Sequence, residues 1–131
     1  MTQLFAKHAP TRIELQLPMP PSSNHHWRMF VLQKTPRMIL SEEGRAYRFV
    51  VKEICDKAVW EPATGPLRLT VEVCYGTRRR IDLDNRLKSL LDALTHAGVW
   101  RDDSQLDSIT VTRGPVAPPD GHVDVTIETM E

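Results

Sequence analysis

The strongest constraint on the fold is a run of strictly alternating apolar residues in the middle of the chain. Its members are Leu67, Leu69, Val71, Val73 and Tyr75. Alternation with a period of two is typical of a β-strand that buries one face, and Gly76 ends the run. The chain is therefore predicted to build a sheet around this strand.

A leucine-rich helix is predicted soon after this strand, from about residue 84 to residue 97. Its apolar stripe consists of Leu87, Leu90, Leu91 and Leu94. Intervals of three and four place such side chains on one side of a helix. Gly98 follows as a C-terminal cap, because glycine adopts the left-handed conformation that ends many helices.

A longer helix is predicted to start after Ser41, whose hydroxyl is a capping group and is followed by Glu42 and Glu43. The apolar residues of this helix are Ala46, Tyr47, Val50, Ile54, Ala58 and Val59. Pro62 stops the pattern, so the helix would be about 30 Å long. The basic residues of its other face are Arg45, Arg48, Lys52 and Lys57.

Three further alternating segments, 13–17, 109–111 and 123–127, are predicted strands. Between residues 20 and 39 we expect a loop or an irregular hairpin. The order strand, helix, strand, helix, strand, strand predicts an α+β fold, with a single mixed β-sheet and two main helices packed on it. A chain of 131 residues suits one hydrophobic core, so a single domain, 1–131, is expected.

The charge of the chain is balanced overall but unevenly distributed. Lys and Arg number 17, as do Asp and Glu. Residues 1–60 carry nine basic and five acidic side chains (net +4), whereas residues 61–131 carry eight and twelve (net −4). This asymmetry fits a basic surface beside an acidic pocket.

The cysteines and the short apolar runs indicate a cytoplasmic protein without a membrane role. Cys55 and Cys74 lack CxxC spacing and follow no secretory signal, so both are expected to be reduced core residues. The longest apolar runs are far shorter than the roughly 20 residues that cross a bilayer.

Asp82 and Asp84 follow the central strand with a spacing that suits a cation site. In an extended segment their carboxylates would point to one side and Leu83 to the other. Mg²⁺ prefers such oxygen ligands. A third acid, Asp102 or Asp103, would join them if the loop after the leucine-rich helix folds back toward the sheet.

Basic side chains flank the aspartates. Lys88 lies four residues after Asp84 and four before Asp92, so the three share one side of the helix. From there the Lys88 ammonium would reach a phosphate on the cation, where it would stabilise negative charge or orient or protonate a reacting oxygen. The run that precedes the aspartates is Arg78, Arg79 and Arg80.

Each of these features also has an ordinary structural explanation. Asp84 alone would be a helix cap, Lys88 a solvated ion-pair partner, and Asp102 with Asp103 a turn. The arginines would be a solvated charge run. Together they favour a metal site, because the acids around Leu83 repel one another without a cation. The chain has no glycine-rich phosphate loop, and the register from residue 82 does not fit a calcium-binding EF-hand.

Residues in and beside the proline-rich segment are weaker candidates. His25 and His26 are expected to be loop residues, since adjacent histidines do not easily converge on one ion. Trp27, Phe30 and Trp100 would stack on bases if exposed, although single aromatic residues usually belong to the core.

The block 78–106, RRRIDLDNRLKSLLDALTHAGVWRDDSQL, resembles the signature of the RusA family of Holliday junction resolvases. Residues 17–24, LPMPPSSN, resemble the family's N-terminal strand and proline turn. Residues 41–48, SEEGRAYR, resemble the start of its first helix, and 123–130, VDVTIETM, its last strand. The resemblance covers nearly the whole chain, and only the segment 25–37 differs in length and content.

The resemblance implies a homodimeric, Mg²⁺-dependent endonuclease, with Mn²⁺ as a substitute ion, that recognises four-way junction DNA and cuts opposed strands symmetrically. It also implies a bacterial or phage origin. The family's essential acids fall on Asp82, Asp84 and Asp103, and its catalytic lysine falls on Lys88. The basic run, Arg78, Arg79 and Arg80, would hold backbone phosphate near the metal.

Two other classes of function are compatible with the residues. One is a DNA-structure-binding module whose acids are structural. The other is a metal-dependent phosphohydrolase acting on nucleotides, which would need less basic surface. Cleavage confined to junction DNA in the presence of Mg²⁺ would distinguish a resolvase from both.

Overall fold

The computed structural model describes residues 11–32, 34–58 and 60–130, which contain six strands and three helices. The strands are β1 (Arg12–Pro18), β2 (Trp27–Leu32), β3 (Thr35–Leu40), β4 (Leu67–Cys74), β5 (Leu106–Arg113) and β6 (His122–Thr129). The helices are α1 (Ser23–His26), α2 (Glu42–Asp56) and α3 (Leu87–Ala97). Two 3₁₀ turns cover Leu83–Arg86 and Asp103–Gln105.

Four strands form the main sheet, in the order β1, β6, β4, β5. β4 is parallel to β5 and antiparallel to β6, and β1 is antiparallel to β6, so the predicted mixed sheet is confirmed. The predicted alternation of β4 is confirmed as well. Its core-facing side chains, Leu67, Leu69, Val71 and Val73, are at most 2% exposed. β4 therefore carries the centre of the hydrophobic core.

The proline-rich segment is more regular than the sequence indicates. After α1, the strands β2 and β3 pair as a separate two-stranded antiparallel sheet, with Met29 opposite Met38. The expected irregular hairpin is thus a regular one, and the fold contains a second small sheet.

Helix α2 begins as predicted but ends earlier. The Ser41 hydroxyl accepts a hydrogen bond from the Gly44 amide at 3.0 Å, which is the expected cap. The helix ends at Asp56, and its 15 residues span about 22 Å rather than 30 Å. Val59 lies outside the described residues.

The buried face of α2 is rotated from the predicted stripe. Its buried residues are Gly44, Tyr47, Val51 and Cys55. Val50, which the prediction placed inside, is 38% exposed. Gly44 explains the rotation, because a Cβ at this position would lie 2.6 Å from the His26 carbonyl oxygen. The glycine lets this side of the helix approach α1 closely.

Helix α3 ends at Ala97 as predicted, and the Gly98 cap is in the left-handed conformation at φ 81°. It begins at Leu87 and not near residue 84, because Leu83–Arg86 forms a 3₁₀ turn. Leu90, Ala93 and Leu94 are buried in one core cluster with residues of α2 and the sheet. Trp100 is 1% exposed and belongs to that cluster, so it does not stack on bases.

Both cysteines are free and buried, as expected. Only Cys55 packs in the main core cluster. Among the described residues, no helix has the length and apolar character required to cross a bilayer.

Candidate active site

The segment between β4 and α3 carries the predicted aspartates, and two side chains hold its backbone. Tyr75, which is buried directly after β4, donates a hydrogen bond from Oη to the carbonyl of Asp82 at 3.0 Å. Arg113, at the end of β5, donates from Nη2 to the carbonyl of Ile81 at 2.8 Å. The backbone leading into Asp82 is therefore fixed to both strands of the parallel pair.

The Tyr75 ring is contacted by two guanidinium groups. The Cζ atoms of Arg86 and Arg113 lie 5.9 Å and 5.6 Å from its centroid, within cation–π range. Arg86 also donates to the Pro20 carbonyl at 2.8 Å, and Ser89 donates to the Pro21 carbonyl at 2.6 Å. These bonds tie the proline turn after β1 to the start of α3. The sequence pattern did not identify this support, because each partner is distant in the chain.

Asp82 and Asp84 are exposed at the start of a 3₁₀ turn. Asp82 itself is extended (φ −61°, ψ 137°), but Leu83–Arg86 forms the turn, so the extended geometry assumed for the pair does not hold. The turn directs Leu83 against the hydrophobic core. It thereby leaves both acids in solvent, as a site requires.

The two carboxylates have the donor chemistry of a Mg²⁺ site. Asp82 makes no capping hydrogen bond. Within the described ranges, neither acid takes part in an ion pair. Unengaged carboxylate oxygens are the ligands that a hard cation prefers. The residues present therefore fit this ion, and Asp84 does not serve as a helix cap.

Lys88 is exposed in the first turn of α3, four residues after Asp84. In the part of the chain that the structure describes, its ammonium forms no ion pair. Asp92, one turn further along, is occupied instead. It accepts hydrogen bonds from Nε and Nη2 of Arg48, each at 2.8 Å, and lies 2.9 Å from Nε2 of His26. Of the three residues predicted to share one side of the helix, Asp84 and Lys88 are thus exposed, whereas Asp92 has a structural role.

The Asp92 network corrects two predictions. His26 lies in α1 and is fully buried rather than in a loop, and Arg48 faces α3 rather than solvent. Burial acts to raise the pKa of Asp92, but the hydrogen bonds from Arg48 and His26 outweigh it and hold the pKa below its ordinary value. The same hydrogen bond raises the pKa of Arg48. The network joins α1, α2 and α3.

Asp102 and Asp103 have different environments. Asp102 accepts a hydrogen bond from the Ser104 amide at 3.0 Å, and its own amide donates to Oε1 of Gln105 at 3.0 Å. This is a capping box. The Ser104 side chain, followed by the Ser104 amide, lowers the pKa of Asp102. Gln105 in turn donates to the carbonyl of Gly65 at 2.9 Å. Asp102 is therefore structural, whereas the Asp103 carboxylate is exposed and is the one available to a ligand.

Within one chain, Asp103 lies at the opposite end of the sheet from Asp82 and Asp84. β4 and β5 are parallel, with Leu67 opposite Leu106, so the turn before β5 lies beside the start of β4. β4 has eight residues and is about 23 Å long at 3.3 Å per residue, and its other end leads to the aspartate pair, where backbone carbonyls bond to Tyr75 and Arg113. A parallel crossover returns the chain to the end of the sheet where β4 began, so the loop after α3 leads to the start of β4 and not to the aspartate pair. The three acids accordingly form no common ligand cluster among the described residues.

A cationic cleft lies beside the aspartate pair. It has a volume of about 190 Å³ and is lined by Tyr75, Thr77, Arg78, Arg79, Arg80, Arg113, Gly114 and Val116. All three arginines of the basic run are exposed. Guanidinium groups with this exposure are suited to hydrogen bonding with phosphate oxygens.

Comparison with known proteins yields one consistent family. Residues 18–128 match the family model described as Endodeoxyribonuclease RusA. The chain is 38% identical over 117 residues to "Crossover junction endodeoxyribonuclease RusA" of Shigella sonnei (strain Ss046), covering 88% of this chain and 93% of the relative. It is 40% identical over 116 residues to the protein of that name from Enterobacteria phage HK97, covering 88% and 92%. The protein from Escherichia coli (strain K12) is 38% identical over 117 residues, with 88% and 93% covered.

Proposed function

The chain belongs to the RusA family of endodeoxyribonucleases and is a crossover junction endodeoxyribonuclease, and on this premise we propose how its residues carry out the cleavage. A Holliday junction resolvase binds branched junction DNA. We propose that this chain cuts that DNA by Mg²⁺-dependent, symmetric phosphodiester hydrolysis in opposed strands. The observation that carries the proposal is the open pair of carboxylates beside an open lysine and the arginine-lined cleft.

Asp82 and Asp84 would hold the ion, with Mn²⁺ as a substitute for Mg²⁺. Their oxygens are exposed, and the backbone carrying Asp82 is anchored by Tyr75. When bound, the ion supplies Lewis-acid polarisation of the scissile phosphate. Anchoring matters because a site loosened by about 1 Å loses much of its activity.

Lys88 would act at the scissile phosphate. It is exposed in the first turn of α3, four residues after Asp84. Its ammonium would stabilise the negative charge that develops on the phosphoryl group, and it would orient or protonate a reacting oxygen. The Asp92 carboxylate is already paired with His26 and Arg48, so it does not compete for the Lys88 ammonium.

Asp103 would complete the site from a second copy of the chain. A single copy holds this acid near the start of β4 and the pair near the end of that strand. A homodimer with a two-fold axis can place the Asp103 end of one subunit against the Asp82 end of the other, and it does so twice by symmetry. Two equivalent sites match the pseudo-two-fold symmetry of a four-way junction.

Arg78, Arg79 and Arg80 would hold backbone phosphate at this site. Such contacts position DNA without reading its sequence, which suits an enzyme that recognises the shape of a junction. Because phosphate contacts release counterions, junction binding should weaken steeply as the salt concentration rises.

We further propose that residues 1–131 act as one nuclease domain in the cytoplasm of a bacterial cell, encoded by the bacterium or by a prophage. The matched region and the sources of the relatives, which are bacteria and phages, support this assignment.

The test is cleavage of a synthetic four-way junction, a duplex of the same sequence and a nucleoside triphosphate, each with and without Mg²⁺. We expect cleavage of the junction only, and only with the ion. The Asp84→Asn variant should bind the junction without cutting it, whereas Asp107→Asn, which alters an exposed acid on β5, should cut normally. Tight junction binding without cutting under Mg²⁺ or Mn²⁺ would instead favour a DNA-structure-binding module. Triphosphate hydrolysis would favour a nucleotide phosphohydrolase.

A further inference from the structure

A second group of ligand-bearing side chains lies on the face of the main sheet opposite the core. In the antiparallel register of β4 and β6, Cys74 is opposite His122 and Glu72 is opposite Asp124. The neighbouring residue Val123 points into the core, so these four side chains point to the other face. Two adjacent cross-strand pairs thus present a thiol, an imidazole and two carboxylates side by side.

Three of these groups have ligand atoms that lie close together. Ligand atoms of Cys74, His122 and Asp124 all lie within 4.8 Å of one another. Nε2 of His122 is 3.3 Å from Oδ2 of Asp124, and Oε1 of Glu72 is 3.9 Å from Sγ of Cys74. Ligands of a tetrahedral zinc ion lie about 3.5 Å apart. Small side-chain rotations would therefore suffice to enclose an ion.

The backbone at Gly114 passes close to the side chains of the cluster. A Cβ on Gly114 would lie 2.7 Å from Sγ of Cys74 and 2.6 Å from Cγ of Glu72, so only glycine allows this close approach. Cys74 is 3% exposed, whereas the side chains of His122 and Asp124 are 28% and 43% exposed. The thiol thus forms the floor of the cluster, and the other ligands open toward solvent.

The electrostatics of the cluster favour a cation over a cysteine nucleophile. Burial, followed by the carboxylates of Glu72 and Asp124, raises the pKa of the Cys74 thiol, which disfavours a free thiolate at neutral pH. Among the described residues, neither Glu72 nor Asp124 pairs with a lysine or an arginine. A divalent ion would offset two of the three negative charges that both acids and the deprotonated thiol carry.

We propose that Cys74, His122 and Asp124 bind a Zn²⁺ ion, with Glu72 as the fourth ligand. A thiolate and an imidazole select a borderline-soft ion, in contrast to the all-oxygen pair Asp82 and Asp84. On binding, the S–Zn bond forms and the thiol proton is released to solvent. The ion would pin the end of β4 to the start of β6, directly before Tyr75. The inference does not depend on the proposed cleavage mechanism.

Co²⁺ is the probe that tests this site, because it replaces Zn²⁺ and its thiolate complexes absorb in the near ultraviolet. We expect the full chain to bind one Co²⁺ with such a band, which Zn²⁺ abolishes and excess Mg²⁺ does not. Cys74→Ser should lose the band and weaken Zn²⁺ binding by more than about 100-fold, the upper end for removing an outer-shell partner. Cys55→Ser, a matched control at the other buried cysteine, and Asp84→Asn should retain both.

A band that persists in Cys74→Ser, or Zn²⁺ affinity equal in Cys74→Ser and wild type, would overturn the proposal. If Cys74→Ser does not fold, His122→Gln supplies the same comparison at a half-buried position. Unchanged cobalt absorption and zinc affinity in that variant would likewise remove the site.

Discussion

The hydroxyl of Tyr75 donates a 3.0 Å hydrogen bond to the backbone carbonyl of Asp82. Tyr75→Phe should remove this bond, worth about 1 kcal/mol, and leave the ring in place. Because the bond positions a proposed metal ligand, we expect kcat for junction cleavage to fall several-fold with little change in KM. Tyr47→Phe is the matched control, since Tyr47 donates a 2.7 Å bond to the Pro18 carbonyl. Equal losses of kcat in the two variants would show that the Tyr75 bond serves stability alone.

Mixed dimers test whether Asp103 acts on the partner's aspartate pair. Asp84→Asn and Asp103→Asn homodimers should both be inactive. A dimer that contains one subunit of each variant has one site with both substitutions and one site with neither, so it should nick one strand of a labelled junction. Differently tagged subunits, co-expressed and purified together, provide the sample. If the three acids instead belonged to one subunit, the mixed dimer would be as inactive as its parents.

Substitution of the neighbouring acid provides the control for Asp103. Asp102→Asn should retain most of the activity, because asparagine is also a good helix cap and the acid serves the capping box. A severe loss in Asp102→Asn with a mild one in Asp103→Asn would reverse the assignment of the two residues.

Lys88→Ala should lower the single-turnover rate of junction cleavage by about 100-fold or more, as loss of a proton-transfer or charge-stabilising group does. The side chain is exposed, so the midpoint of thermal unfolding should not move. Lys57→Ala, at another exposed lysine, should leave the rate unchanged. A rate in Lys88→Ala close to that of Lys57→Ala would exclude the ammonium from the reaction.

Arg79→Ala and Arg80→Ala should weaken junction binding and make it less dependent on salt. Each lost phosphate contact lowers the slope of log Kd against log salt concentration by about 0.9 on duplex arms. Binding is best titrated in the Asp84→Asn background, so that the DNA stays intact. Arg12→Ala, at an arginine paired with Glu14 and Glu128 on an edge strand, should leave the slope as it is. An unchanged slope in all three would show that the basic run does not touch phosphate.

Asp92 should make the free energy of unfolding depend on pH in the acidic range. Its folded-state pKa lies below its ordinary value, so its contribution is present above the unfolded pKa and is lost as the pH falls through the folded one. Asp92→Asn should lower the free energy of unfolding by about 1–3 kcal/mol at neutral pH. In urea titrations, the difference between wild type and variant should shrink below pH 4, and a constant difference at all pH values would contradict the assigned ionisation.

Local sequence patterns predicted most of the helices and strands, but not which of their faces pack against one another. The alternation in β4, the Ser41 cap and Gly98 are each determined by residues close in sequence, and the structure agrees with all three. The buried face of α2 depends on a contact between Gly44 and α1, which sequence spacing does not contain. Val50 and Val51 are both apolar, so periodicity alone could not choose between them.

For the candidate site, the sequence could indicate individual residues but not where they lie relative to one another. Asp82, Asp84 and Lys88 are all exposed and open to a ligand. Their relation to Asp103 depends on whether β4 and β5 are parallel, and the sequence does not state the direction of a strand. Asp92 could not be separated from Lys88 either, because its partners, His26 and Arg48, are 66 and 44 residues away in the chain.

The parallel crossover from β4 through α3 to β5 also bears on how such a nuclease is kept harmless. If the residues of one site always lie at opposite ends of the sheet within a subunit, a newly synthesised monomer cannot cut DNA by itself. Under the proposed arrangement, the rate per chain would fall on dilution below the dimer dissociation constant. A cell would then limit damage to its chromosome simply by keeping the enzyme scarce.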